Sequence, residues 1–205
     1  MSQPVGTGTA VWPGDQPYRL NWTLQRDRGD SVNVAAITLS AHTGTHVDAG
    51  YHVESGGPRA ADLPLELFIG PATVVDARQL DPLDERVLDL FDAARAERVL
   101  FRTRGAVDEK QFPRTFRVPT RTLAQRLVDA GIRLVGTDAP SMDAFDSKTL
   151  DTHRVLVTGG VAILENLMLE AVPPGQYTLI AFPLRLTEAD GSPVRAVLLE
   201  GFLNG

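Results

Sequence analysis

Apolar residues along this 205-residue chain gather in short runs separated by Gly, Pro and acidic turns, and the runs carry two periods. Residues 32–39 and 72–76 are rich in β-branched side chains and end in turn formers, which predicts strands. Residues 82–95 place Val87, Leu88, Leu90, Phe91 and Ala94 at helical spacing and predict a helix, with 99–102 following as an apolar strand. Pro119-Thr120 opens a second helix whose Leu123, Leu127 and Ala130 share a face; Gly131 closes it, and 132–137 resumes as a strand. Three further apolar segments, 161–164, 177–183 and 194–200, are each short and bounded by Gly or Pro. Strands outnumber helices, so the expected fold class is α/β with a mixed sheet. No repeat or long linker divides the chain, and 43% hydrophobic residues suffice for one core, which predicts a single domain over 1–205.

Charge narrows the partners. The net charge is −6, with 20 basic and 26 acidic residues interspersed, so nothing marks a surface for nucleic acid or an anionic membrane. Nowhere do eighteen apolar residues run together, and the first fifteen residues have neither a basic nor an apolar block, which places the expected protein in the cytoplasm. Cysteine is absent, so disulfides, a thiolate nucleophile and Cys-ligated zinc are excluded. No Gly-x-Ser-x-Gly segment occurs, which argues against a serine triad.

Three of the four histidines fall inside His42-Thr43-Gly44-Thr45-His46-Val47-Asp48-Ala49-Gly50-Tyr51-His52. Imidazoles and a carboxylate confined to so short a segment suit a catalytic divalent metal, because few backbone torsions remain to be ordered when the ion binds. Thr-Gly-Thr is poor helix material, so the segment reads as a strand end leading into a loop. In extended backbone His46 and Asp48 point to one side and Val47 to the other, and a turn through Ala49-Gly50 brings His52 back over the same cavity. His52 then need not be a ligand and can stand outside the ligand set, where an imidazole is suited to move protons near neutral pH. Further along, Glu165 follows four apolar residues and is costly to bury unless it meets an ion; the alternative is a solvated strand end. His153 is the remaining candidate, and its alternative is a surface position on a helix over 148–157. A structural metal-binding module is the non-enzymatic reading, disfavoured because closed structural zinc sites are built mostly from Cys.

Taken together, Val11-Trp12-Pro13-Gly14-Asp15, the His42–Asp48 segment, Asp138-Ala139-Pro140-Ser141, Asp146-Ser147-Lys148-Thr149 and Ala162-Ile163-Leu164-Glu165 resemble the bacterial kynurenine formamidase family. That family lies within a wider group of metal-dependent cyclase-like hydrolases that includes isatin hydrolases. The resemblance implies a swivelling β/β/α cyclase-like fold, a homodimer and two zinc ions per subunit. It implies that His42, His46 and Asp48 hold one ion and His153 the other, with Asp48 and Glu165 shared. His52 would be the catalytic acid/base, and Trp12 would touch the ring of an aryl formamide substrate. The implied reaction is hydrolysis of N-formyl-L-kynurenine to L-kynurenine and formate, a step of tryptophan catabolism, by a water that the ion makes acidic enough to ionise near pH 7. Manganese is an alternative metal, since a His/carboxylate site without sulfur selects weakly. Hydrolysis of a cyclic amide such as isatin is the alternative reaction.

Three positions depart from the family pattern. Gly50 replaces a usual Pro and is expected to loosen the loop that aims His52. Arg154 stands where a second His is usual, and Asn166 where Gly is usual. Tyr51 and Phe68 are candidate neighbours of the substrate ring, with packing as their alternative. No residue is assigned to the amino-acid end; Arg154 is a candidate there, although an exposed helical arginine is ordinary.

Overall fold

The computed structural model of the chain describes residues 1–201. Its elements are, in chain order, β1 (Arg19–Leu24), β2 (Val34–Thr38), β3 (His46–Asp48), β4 (Ile69–Asp76), β5 (Arg98–Arg102), α1 (Arg121–Asp129), β6 (Leu134–Thr137), α2 (Asp151–Thr158), β7 (Ala162–Glu165), β8 (Gly175–Ile180), β9 (Gly191–Pro193) and β10 (Val197–Glu200). Eight strands make one sheet in the order β10-β8-β4-β5-β6-β7-β3-β9, and β1 and β2 form a separate ribbon. Strands β4, β5, β6 and β7 run parallel at the centre, while β8, β10, β3 and β9 join antiparallel at the flanks. The mixed α/β sheet expected from the apolar runs is present.

The central strands are buried on both faces, and their alternation divides the core in two. Val75, Val99, Phe101, Val135 and Ile163 point to one face, where Leu123 and Leu127 of α1 and Leu156 of α2 cover them. Val74, Leu100, Leu134 and Leu164 point to the other and pack with Phe68, Leu179 and Val47. This is why these strands read as near-continuous apolar runs. Helix α1 begins where its cap predicts: the Thr120 hydroxyl accepts from the Leu123 N–H, and Gly131, at φ +78°, ends the element.

The expected helix over 82–95 is not formed. Only a 3₁₀ segment, Glu85–Leu90, is helical, and Phe91 turns extended at φ −157°. The Asp92 carboxylate accepts the Ala94 N–H at 3.2 Å, so a local side-chain bond wins over helix continuation. Val87 still finds the core, which accounts for the helical spacing. Residues 32–39 do contain a strand, β2, but it pairs only with β1, a partner the hydrophobic pattern did not reveal.

Gly50 departs from its expected role. It starts the 3₁₀ turn Gly50–His52, is buried, and has no left-handed φ. A Cβ built on it would lie 2.7 Å from Pro58 Cδ and 3.4 Å from Val157 Cγ1, so close packing, not loop freedom, calls for glycine here. A Cβ on the facing Gly57 would come within 2.6 Å of the Gly50 carbonyl carbon, and the Tyr51 N–H donates to the Pro58 carbonyl at 3.0 Å. Gly50→Pro is therefore expected to lower the melting temperature, at a cost of about 1–3 kcal/mol for overpacking, and Gly50→Pro with Pro58→Ala to recover part of it. A melting temperature that rises in the single variant would show that the 57–58 segment yields easily.

Candidate metal centre

Four of the five implied ligands sit on or beside neighbouring elements of the sheet's antiparallel flank, and α2 brings the fifth. Strand β3 lies between β7 and β9 with His46 opposite Glu165, and alternation turns Val47 into the core while His46 and Asp48 face the other way. His42 approaches from the turn before β3. On α2, His153 faces inward and is 2% exposed, whereas Arg154 is exposed and donates from Nε to the Thr149 carbonyl. The surface-helix alternative for His153 and the solvated strand end for Glu165, 3% exposed, are both overturned by burial.

The nitrogen and oxygen atoms converge in two groups. His42 Nδ1 lies 2.9 Å and His46 Nε2 3.4 Å from Asp48 Oδ1, and His46 Nε2 is 3.4 Å from Glu165 Oε2. On the other side His153 Nε2 is 3.3 Å from Asp48 Oδ2 and 3.1 Å from Glu165 Oε1. Each carboxylate thus divides its oxygens between the same two groups. Two donors about 2.0–2.2 Å from one ion at roughly 90–110° lie roughly 2.8–3.6 Å apart, and all five separations fall in that interval. Both Asp48 oxygens are buried with no hydrogen-bond partner other than the facing imidazoles, an arrangement that a cation would complete. The residues present therefore fit a divalent metal.

Surrounding groups orient the imidazoles. His46 Nδ1 donates to the Gly44 carbonyl at 2.9 Å and His153 Nδ1 to Asp143 Oδ2 at 2.6 Å, which turns each Nε2 toward the carboxylates. Asp143 also accepts the Thr152 and His153 N–H groups and so serves the start of α2, whose N-cap position, Leu150, offers no side-chain acceptor. That missing cap was the available signal for Asp143. Asp190, just before β9, accepts from His42 Nε2 at 3.1 Å and His52 Nδ1 at 3.3 Å. In sequence Asp190-Gly191 reads only as a turn, so nothing marked it. His52 itself is exposed and belongs to two of the three donor groups whose atoms lie within 4.8 Å of one another, one with His42 and Asp190 and one with Asp48 and His153.

Protons on the imidazoles balance the charge of the carboxylates. Burial alone would push the His42 imidazole down, but Asp190 and Asp48 hold its proton and raise it to about 10. Against the same burial penalty, Asp48 and Glu165 raise His46 to about 9, and Asp143, Asp48 and Glu165 carry His153 well above its ordinary range. Burial favours protonated Asp48, yet His153, His42 and His46 hold it well below the usual carboxylate range.

A cleft of about 610 Å³ opens above these donors and contains His42, His46, His52, His153 and Glu165 in its lining. Pro140 and Ser141 follow β6, and Asn166 follows β7, so this part of the cleft lies at carboxyl ends of the parallel strands, the usual place for a ligand in such sheets. Trp12 also lines the cleft, stacked on Phe145 at 5.2 Å and edge-on to Phe112 at 5.1 Å. The two phenylalanines were not foreseen. Phe68 is fully buried in the core and Tyr51 is covered by the Arg59 guanidinium at 3.1 Å, so neither borders the cleft. Nor does Arg154, which lies in a separate surface groove between α1 and α2.

A family model described as "Putative cyclase" matches residues 1–144. The chain is 41% identical over 198 residues to the kynurenine formamidase of Bacillus cereus and 46% over 201 residues to that of Salinibacter ruber, covering 97% of this chain and 95% of each relative. Among solved structures it is similar to a potential metal-dependent hydrolase with cyclase activity, with a TM-score of 0.83, 29% identity and coverage of 96% and 94%. It is also similar to isatin hydrolase A from Labrenzia aggregata, bound to benzyl benzoate, with a TM-score of 0.76, 26% identity and coverage of 97% and 90%.

Because a ligating imidazole must be neutral, metal entering the site at pH 7 is expected to displace the protons on His42, His46 and His153, about three in all. Their raised positions mean that the protons are present at pH 7 and lost as pH rises through about 9–10, so metal affinity should climb with pH over that range. Calorimetric titration in buffers of different ionisation enthalpy counts the protons. No release at pH 7 would mean that the imidazoles are already neutral.

Proposed function

This chain belongs to the Cyclase family, and from that premise we propose that it hydrolyses N-formyl-L-kynurenine to L-kynurenine and formate. The observation that carries the reaction class is the pair of buried carboxylates, Asp48 and Glu165, each dividing its oxygens between the same two groups of imidazole nitrogens. The substrate follows from full-length likeness to kynurenine formamidases at 40–46% identity. In this reading His42, His46 and Asp48 would hold one ion and His153 the second, with Asp48 and Glu165 available to both. A set of imidazoles and carboxylates without sulfur suits zinc, with manganese as the substitute. When bound, the ions supply a more acidic water and a Lewis acid for the formyl carbonyl.

The protein's own groups do the rest. Asp190 holds the Nδ1–H of His52, which leaves Nε2 as the proton acceptor. As water adds to the formyl carbon, His52 Nε2 takes a proton; as the C–N bond breaks, it returns that proton to the aryl nitrogen. Such a shuttle contributes about 10²–10⁴-fold. Trp12, braced by Phe145 and Phe112, offers an aromatic surface for the substrate ring.

Metal analysis of the purified protein, with assays on N-formyl-L-kynurenine and isatin side by side, tests this reading. The expected result is about two divalent ions per chain, activity lost on chelation, and preference for the linear amide. Preference for isatin would favour the cyclic-amide reading, which likeness to isatin hydrolase A keeps in view. Asp48→Ala is expected to lose metal and activity together, whereas His52→Ala keeps metal and loses kcat. Loss of metal from His52→Ala would make His52 a ligand.

The same reading places the protein in the cytoplasm as a homodimer. No helix of the described residues is long and apolar enough to cross a membrane. In the ribbon, Leu20 lies opposite Ile37 and Trp22 opposite Ala35, with Trp22 49% and Ile37 55% exposed, so one apolar cross-strand face lacks cover among the described residues. A second copy supplies the cover. Light scattering should read twice the 22.2 kDa monomer mass, and Trp22→Glu should shift the protein toward monomer.

A further inference from the structure

Resting on the formamidase reading, we infer that Arg104 binds the free carboxylate at the amino-acid end of the substrate and sets specificity for it. Arg104 lines the same cleft as the metal donors and Trp12, two residues beyond the end of β5. Among the described residues its guanidinium makes one hydrogen bond, from Nη1 to the Asp138 carbonyl at 3.3 Å, and no ion pair with a carboxylate. A half-buried guanidinium has five donors in a planar fork, and four of these stay unused by the protein. Burial pushes it below its ordinary range, with the nearby Asp138 charge opposing that shift. A carboxylate answers that fork in shape and sign.

The position of Arg104 is held from behind. Asp138, buried at the end of β6, accepts the Thr103 N–H, the Thr103 hydroxyl at 2.6 Å and the Arg104 N–H at 3.0 Å. Arg117 donates to the Thr103 carbonyl at 2.9 Å. The backbone at 103–104 is thereby tied to the sheet while the side chain reaches the cleft, making Asp138 a positioning residue. Farther along this segment, the Ala10 N–H donates to the Glu109 carbonyl at 2.7 Å, which joins it to the strand of chain carrying Trp12. Ring-binding and carboxylate-binding groups thus share one wall. Lys148 is the other cation of the cleft, but it is exposed on a flexible stem and lacks the paired donors.

The test uses metal-loaded protein and two substrates, N-formyl-L-kynurenine and formanilide, which has the scissile bond and ring without the amino acid. Arg104→Gln is expected to lower the ratio of kcat/KM on the first to that on the second by roughly 10–100-fold, mostly through KM, and Arg104→Lys to recover part of the ratio. L-kynurenine should inhibit formanilide hydrolysis, and Arg104→Gln should weaken that inhibition by a similar factor. An unchanged ratio, whether both activities fall together or neither falls, overturns the assignment. Wild-type protein that hydrolyses formanilide and is inhibited by L-kynurenine through Arg104, yet leaves N-formyl-L-kynurenine intact, refutes the substrate reading and not the carboxylate site. Absence of both turnover and inhibition refutes both.

Discussion

Two carboxylates buried side by side are the constraint from which the rest of this site follows. Asp48 and Glu165 repel each other inside the fold, and burial further disfavours their charge. Three imidazoles and the Met142 N–H, which donates to Glu165 Oε1 at 2.7 Å, compensate them. Each imidazole in turn needs its other nitrogen satisfied, by Gly44, Asp143 or Asp190. Protons bridge these groups when no ion is present, and a cation replaces the protons. Removing any single member leaves charge uncompensated in a dry place, which typically costs more than the paired arrangement contributes.

The sequence was informative wherever local chemistry decides the outcome. Thr120 and Gly131 bound α1 because a cap and a left-handed terminus act over a few residues. The central strands were visible because burial on both faces leaves apolar runs. Strand β9, the three residues Gly191–Pro193, has no such propensity and exists because β3 offers a pairing edge. The segment 82–95 misled because Val87 is needed by the core whether or not a helix carries it. In the site, the clustered histidines were legible from spacing, whereas Glu165, raised by its apolar run, and His153 each had a bland alternative that the sequence alone did not remove. Asp143, Asp190, Phe112 and Phe145 act through tertiary contact.

The two sides of the cleft are built differently. On the metal side the donors come mainly from β3, α2 and β7, elements locked into the sheet or its helical cover, which suits groups that must keep separations near 3 Å. By contrast, Trp12, Phe112 and Arg104, which also line the cleft, and Phe145 behind Trp12 belong to connecting segments. In the proposed reading, reaction class and substrate choice are carried by separate parts of the fold, so that the second could change without disturbing the first. Gly50 belongs to neither side: its size is dictated by the ring of Pro58 behind it.

Strand β3 is only three residues long, and both of its neighbours are distant in sequence, β7 from residue 162 and β9 from residue 191. During synthesis, His42, His46 and Asp48 emerge long before the strands that seat them, so the nascent chain carries an open, flexible chelator. Such a fragment ranks metals by intrinsic affinity and prefers copper over zinc. In the proposed reading, selection by geometry begins only when β7 and β9 close around β3.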